Sequence, residues 1–186
     1  MNNRVSVKTY TLPPVNMQEV LRYAGCKSRD ENVIAQILQC ESELKEVLSP
    51  RVCFTCLPAQ TIRDTFAESK LVSLRLRDCE RAVVFVATVG LETDRLILKN
   101  QSLSPTKALL FQALGAERVE GLCDSFCAEF KGAKYRFSPG YGDFPLQAQE
   151  WIFQTLNAPK RIGVTLNTGL LMTPTKSVSA IVPIKG

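Results

Sequence analysis

The 186-residue sequence contains no histidine, and this absence excludes several kinds of site. Ser-His-Asp and Cys-His nucleophile pairs and histidine-ligated zinc all require an imidazole. The sequence also lacks an apolar run near the roughly 18 residues that span a bilayer. Its first residues, Met1–Ser6, lack the apolar core of a signal peptide. We therefore expect a cytoplasmic protein without a membrane-spanning segment.

Aromatic residues and clustered positive charge are also scarce. The sequence has one Trp, four Tyr and a net charge of +5, and its Lys and Arg residues are scattered without forming a run. Binding of a nucleic acid would require a basic stripe with aromatic side chains for stacking. The pattern instead indicates a solvated surface, and we expect no nucleic-acid partner.

The seven cysteines are an odd number, and with no secretion signal they indicate reduced thiols and not a disulfide framework. Cys53 and Cys56 have metal or redox spacing, but they fall in an extended pattern over residues 51–57. Residues i and i+3 of a strand point to opposite faces, which suits neither role. Cys123 and Cys127 lie one helical turn apart on an apolar stripe, which predicts core packing. We expect no metal site.

The hydrophobic content of 45% and charged content of 22% are those of a globular protein, and the length suits one domain over residues 1–186. Helices and strands mix without regular βαβ alternation, which favours an α+β fold with a largely antiparallel sheet. The predicted strands are residues 4–12, 51–57, 82–88, 162–166 and 177–184. The predicted helices are residues 16–25, 28–48, 91–98, 104–131 and 144–157.

The secondary structure of two segments is ambiguous, and two glycines lie where a helix is predicted. Residues 61–66 have a weak extended pattern. Residues 71–77 alternate as a strand does, although Ser69 as an N-cap would make a short helix of them. Gly115 and Gly121 lie inside the longest predicted helix, where each costs about 1 kcal/mol relative to Ala. They predict close packing or a kink.

Helix starts are indicated by capping residues. Asn16 with Glu19, and Ser28 with Glu31, have the spacing of capping boxes. Ser104, followed by a proline, has the pattern of an N-cap before the longest helix.

The segment Tyr135–Asp143 joins the two last predicted helices through a rigid turn. In Pro139-Gly140, proline presets one dihedral angle and glycine accepts the positive φ of a type II turn. Asp143 would cap the helix that follows. The segment thus presents the Arg136 guanidinium and free backbone groups beside a helix. Locally, it is either a ligand cradle or only a turn.

Three stretches resemble one family, the activation (S-adenosylmethionine-binding) domain of cobalamin-dependent methionine synthase. Residues 136–141 are similar to its Arg-x-x-Pro-Gly-Tyr motif. Residues 122–126 are similar to the helix that carries an acidic contact, and residues 172–179 to its Met-x-Pro-x-x-Ser-Val-Ser stretch. The resemblance covers residues 82–184, whereas residues 1–80 resemble only the short free-standing members.

The resemblance implies a curved α+β domain with a twisted antiparallel sheet, and a role in repair of an oxidised corrinoid (cobalamin). A flavodoxin-like or other electron donor would reduce the corrinoid, and S-adenosylmethionine would methylate and trap it. Cobalamin would be bound by the partner, a methionine synthase core or another corrinoid methyltransferase, and not by this chain. The protein would supply binding and orientation, with no catalytic residue of its own.

The resemblance also implies roles for five residues. Arg136 would pair bidentately with the ligand carboxylate. Asp124 would face the ammonium or ribose of the ligand, the alternative being an exposed helix carboxylate. The backbone of Ser138 and Gly140 would contact the adenine edge. Tyr141 would pack against the nucleoside, the alternative being a buried turn tyrosine.

The sequence departs from the family pattern at residues 167–169, where Asn-Thr-Gly replaces Thr-Glu-Ser. It also ends at Gly186, before a segment that supplies a tyrosine contact in the large enzyme. The leading hypothesis is a stand-alone reactivation subunit acting in trans, which is not a methionine synthase by itself. The alternatives are a non-catalytic docking module for a corrinoid protein, and a redox or metal protein built on Cys53 and Cys56.

Overall fold

A computed structural model describes residues 4–26 and 30–185. The elements in chain order are β1 (Ser6–Thr9), α1 (Met17–Tyr23), α2 (Glu31–Lys45), β2 (Arg51–Pro58), α3 (Ala59–Thr65), α4 (Lys70–Arg75), β3 (Arg81–Thr88), α5 (Glu92–Leu103), α6 (Pro105–Cys127), α7 (Ala148–Leu156), α8 (Ala158–Ile162), β4 (Thr165–Leu166), β5 (Met172–Thr173) and β6 (Ser177–Ile184). A four-stranded sheet has the order β1-β2-β3-β6, and each pair is antiparallel. The predicted α+β class is confirmed.

The central strand β3 is buried on both faces, as its continuous apolar run predicts. Its side chains alternate between two hydrophobic clusters, because successive residues of a strand point to opposite faces. Val84 and Val86 pack with α3, α4, α7 and α8. Val83 and Phe85 pack on the other face, where the side chain of Phe126 comes from α6. A third cluster joins α1, α2 and α5 to α6.

The weak extended pattern of residues 61–66 gave a wrong prediction, because this segment belongs to helix α3. Ala59 and Ile62 are buried at helical spacing, and Arg63 bonds back to Gln60 one turn earlier. Residues 71–77 follow the helical alternative: α4 begins after Ser69, whose Oγ accepts a hydrogen bond from the Val72 amide.

Several predicted boundaries also need correction. Helix α5 ends at Leu103, five residues beyond its predicted end. Helix α7 begins at Ala148 and not at residue 144, since residues 144–147 form turns. Ile162 ends α8 and is not in a strand. The predicted strand 162–166 shrinks to β4, which pairs with β5 in a separate two-stranded sheet.

The predicted caps are only partly right. Asn16 caps α1, but Glu19 does not complete the box, because Glu117 accepts the Asn16 amide hydrogen at 3.0 Å. The proposed box at Ser28 and Glu31 involves Ser28, which lies outside the described residues, and the observed cap of α2 is Asp30. Ser104 makes no capping hydrogen bond through its side chain.

Helix α6 runs without interruption through both glycines. A Cβ on Gly115 would lie 2.8 Å from Cγ2 of Thr93 and 3.0 Å from Cγ of Lys176, so the predicted close packing is confirmed there. Gly121 has no such neighbour; the nearest atom to its Cβ would be an oxygen of Glu117 at 3.9 Å. Close packing is therefore confirmed for one of the two glycines.

The two cysteine pairs with a predicted environment pack as their spacing predicts. Cys53 is buried in one cluster, whereas Cys56 packs against the other face of the sheet. Cys123 is fully buried, and burial raises its pKa well above the usual thiol value. Each of the seven cysteines, all within the described residues, is a free thiol.

Two features are absent from the described residues. No cluster of three or more potential metal-binding side chains occurs in residues 4–26 and 30–185. No helix in this part of the chain has both the length and the apolar character needed to cross a membrane.

Candidate functional site

A groove of about 1220 Å³ lies between α6, α4 and the segment that follows α6. We call it the Arg136 groove. Its lining residues are Leu71, Arg75, Glu120, Asp124, Cys127, Ala128, Phe130, Gly132, Ala133, Lys134, Tyr135, Arg136, Phe137, Ser138, Tyr141, Gly142 and Val178. Both signs of charge are present in it, together with two exposed tyrosine rings.

The turn at Ser138–Tyr141 forms one end of the groove lining. The Tyr141 amide donates to the Ser138 carbonyl at 3.3 Å, and Gly140 has a φ of +91°. This is the type II turn that Pro139-Gly140 predicts. The Gly140 amide then donates to the Phe144 carbonyl at 2.8 Å, which closes the loop on its far side.

The residue before the turn is attached to the sheet. Phe137 exchanges two backbone hydrogen bonds with Ile181 of β6, at 3.0 and 2.9 Å. The Phe137 side chain is buried and packs against Phe144. Arg136 and Ser138, on either side of Phe137, are thereby held at the edge of the sheet while their side chains line the groove.

Asp143 fixes the other end of the loop, though not in the predicted way. Its carboxylate accepts hydrogen bonds from the amides of Leu71 and Lys70 and from the Ser69 hydroxyl, at 3.0, 2.8 and 2.9 Å. Asp143 therefore caps α4 and not α7. The bond from the Leu71 amide is the main reason why the pKa of Asp143 lies below its ordinary value. The loop and α4, two walls of the groove, are tied together.

Arg136 lies between two carboxylates of α6. Its Nη1 donates to Asp124 and its Nη2 to Glu120. The Arg136 side chain is 22% exposed. Burial by itself lowers the pKa of Arg136, but the hydrogen bond to Asp124 and the neighbouring negative charges outweigh it, and the pKa is raised. Arg136 therefore stays charged.

The structure brings four of the five predicted site residues to one groove: Arg136, Asp124, Ser138 and Tyr141 line it. Gly140 does not line it, and its amide is already bonded within the loop. Tyr141 is 67% exposed, so the alternative of a buried turn tyrosine is wrong. The Asp124 side chain is 71% exposed and ion-paired with Arg136, and its contact with a ligand stays a prediction.

The sequence analysis missed Glu120. It lies one helical turn before Asp124, and that spacing of two acidic residues on one helix face was the available signal. It also missed the cations Arg75 and Lys134, which come from α4 and from the loop. A smaller pocket of about 450 Å³ adjoins the groove and shares Glu120 and Asp124 with it.

Comparison with known proteins confirms the predicted fold. No family model and no curated protein matches the sequence. Among solved structures, the chain is similar to the crystal structure of the MetH reactivation domain bound to AdoHcy. The TM-score is 0.72 at 16% sequence identity, over 97% of this chain and 78% of that one. The chain therefore has the fold of a methionine synthase reactivation domain.

Proposed function

We propose that this protein binds S-adenosylmethionine in the Arg136 groove and supports the reductive methylation of an oxidised corrinoid held by a partner protein. The partner would be a methionine synthase core or another corrinoid methyltransferase. The observation that carries the proposal is the meeting of Arg136, Asp124, Ser138 and Tyr141 in one groove. The fold supports it, since the similar MetH reactivation domain was crystallised with AdoHcy.

Each part of this ligand would have a partner among the groove residues. The Arg136 guanidinium would bind the ligand carboxylate, because its planar fork matches a carboxylate in geometry and charge. Asp124, in contact with Arg136, would face the ammonium or the ribose. The exposed ring of Tyr141 offers a flat apolar face to the nucleoside. The backbone of Ser138 would contact the adenine edge, whereas Gly140, which does not line the groove, would contribute only through its positive φ in the turn.

The chain's own part is binding and orientation. When bound, S-adenosylmethionine supplies an activated methyl group to the reduced cobalt of the partner's corrinoid, and a flavodoxin-like or other donor supplies the electron. No proton has to be moved by the protein in this scheme, so a groove without histidine is sufficient. Arg136 and Asp124 would hold the amino-acid end of the ligand and so orient it.

Calorimetric titration with S-adenosylmethionine tests the binding. We expect Arg136→Ala to weaken it by about 10- to 100-fold, the usual loss when one charged hydrogen-bond partner is removed. Arg95→Ala is a matched control, since Arg95 also pairs with a carboxylate but lies on α5 and does not line the groove. Equal affinity of the wild type and Arg136→Ala, both folded by circular dichroism, would remove Arg136 from the site.

A docking module without ligand is the second candidate, and one observation favours it: two carboxylates already neutralise Arg136. The two candidates differ in chemistry. Transfer of a labelled methyl group from S-adenosylmethionine to reduced cobalamin on a partner protein is expected only of the reactivation subunit. Complex formation without transfer would favour the docking module.

A further inference from the structure

We propose that Glu120 acts with Asp124 to make the Arg136 groove selective for ligands that end in an intact α-amino acid, with both an ammonium and a carboxylate. This inference rests on the proposed function and extends it, because it assigns Glu120 and a rule of ligand choice. A ligand that offers the carboxylate alone would be rejected.

The geometry of the ion pairs is the first support. Glu120 and Asp124 lie one turn apart on α6, and each bonds to a different terminal nitrogen of Arg136. Their side chains are 44% and 71% exposed, so a ligand in the groove can reach both. Like charges at this spacing destabilise a helix by themselves. Here the guanidinium between them compensates.

The charge of this cluster is the second support. One guanidinium and two carboxylates add up to a net charge of −1. A ligand with only a carboxylate would raise the negative charge to −2, whereas an amino acid with both groups leaves it unchanged. The other cations of the groove are Arg75 on α4 and Lys134, whose ammonium donates to the Arg77 carbonyl at 3.2 Å. Neither forms an ion pair with Glu120 or Asp124 among the described residues.

An exchange of partners follows from this arrangement. When the ligand carboxylate binds Arg136, it competes with Glu120 and Asp124 for the guanidinium nitrogens. A ligand ammonium can then take the place of the guanidinium beside the two carboxylates, so no charge loses its partner. A ligand without an ammonium leaves the two carboxylates facing a third, which is unfavourable.

The test compares two ligands on two proteins by calorimetry. The ligands are S-adenosylhomocysteine and its analogue in which hydrogen replaces the amino group. We expect the wild type to prefer the first by about tenfold or more, the size of a charge-assisted contact. In Glu120→Gln the preference should shrink, because S-adenosylhomocysteine binds more weakly and its deaminated analogue more tightly. Glu43→Gln is the control, since Glu43 is similarly exposed, pairs with Lys107 and does not line the groove.

The outcomes separate the two proposals. If the wild type binds S-adenosylhomocysteine but binds the analogue equally well, the selectivity rule is overturned and the proposed function stands. If the wild type discriminates and a folded Glu120→Gln keeps the full ratio, Glu120 has no part in it and the inference is overturned. If the wild type binds neither ligand nor S-adenosylmethionine, the proposed function fails as well. The wild-type ratio decides the rule even if the variant does not fold.

Discussion

Glu117 and Arg118 are adjacent residues of α6 that form a buried ion pair, with side chains only 7% and 6% exposed. The pair holds the segment between β1 and α1 against the helix. Arg118 donates to the Pro13 carbonyl at 2.6 Å and to the Pro14 carbonyl at 3.3 Å. Glu117 accepts the Asn16 amide hydrogen. Removing one charge should therefore loosen this attachment.

Glu117→Gln leaves the Arg118 guanidinium buried without a charged partner, and it keeps only oxygen atoms of neutral groups as acceptors. Breaking a buried pair from one side costs about 3–5 kcal/mol, and we expect the lower end because the amide can keep the Asn16 bond. In a chain of this length, 1 kcal/mol corresponds to about 2–4 °C in Tm. The expected loss of Tm is therefore about 6–12 °C, taking 3 kcal/mol. Replacing both residues by uncharged ones should be less harmful than the sum of the two single losses.

Urea unfolding followed by circular dichroism measures the loss of free energy, and thermal unfolding measures the loss of Tm. Lys8→Met is the control, because it breaks the Lys8–Glu129 pair, whose side chains are 48% and 38% exposed. An exposed pair contributes about 0–1 kcal/mol. If Glu117→Gln cost no more than Lys8→Met, the Glu117–Arg118 pair would not be the attachment that its burial indicates.

Gly132→Ala should destabilise the protein by about 2–4 kcal/mol, because φ is +77° and the new Cβ would lie 2.5 Å from the Lys185 carbonyl oxygen. At Gly163, φ is +71° and no atom lies within 4 Å, so the same substitution should cost about 1 kcal/mol; equal losses on urea unfolding would refute the steric clash. The lowered pKa of Asp143 means that its stabilisation is complete above the ordinary value of 3.8 and is lost as the pH falls through the folded-state value. Asp143→Asn should therefore lose less stability than the wild type on acidification from about pH 7 to pH 3, and parallel unfolding curves would contradict this.

Local sequence patterns predict a segment well when its burial is the same along its whole length. Residues 82–88 are apolar throughout because β3 is buried on both faces, and the observed strand differs by one residue. Residues 177–184 match β6 at both ends. The prediction for residues 61–66 was wrong because α3 is a short helix with few buried side chains. The helical period of apolar residues is therefore hardly visible in the sequence.

The sequence could not predict that Asp143 caps α4, for a different reason. Asp143 precedes α7, and a local pattern assigns an acidic residue to the helix that follows it. The carboxylate instead reaches α4, more than 70 residues earlier in the chain. The same holds for Asn16, whose backbone amide donates to Glu117 of α6 and not to the neighbouring Glu19. Contacts between distant segments decide such caps. The period of apolar residues in a helix or strand contains no information about these contacts.

The candidate site depended on three stretches that are far apart in sequence. Their resemblance to one family pointed to Arg136 and Asp124, and the fold places these two side chains in contact. Glu120 was missed because the family motif does not include it and because two acidic residues one turn apart on a helix are ordinary at a solvated surface. Gly140 was included because its motif position is conspicuous, although its role in the turn is to supply a positive φ.

The loop of the groove is fixed at three places before any ligand binds. Its start is held by the Gly132 carbonyl, which accepts from Lys185; its middle by Phe137 on β6; and its end by Asp143 on α4. A ligand therefore does not have to order this loop, and the entropy loss that such ordering would bring is avoided. Under the proposed function, the step that remains is the exchange of ion pairs around Arg136. Affinity should then depend on charge at Glu120 and Asp124, and little on loop length or loop flexibility.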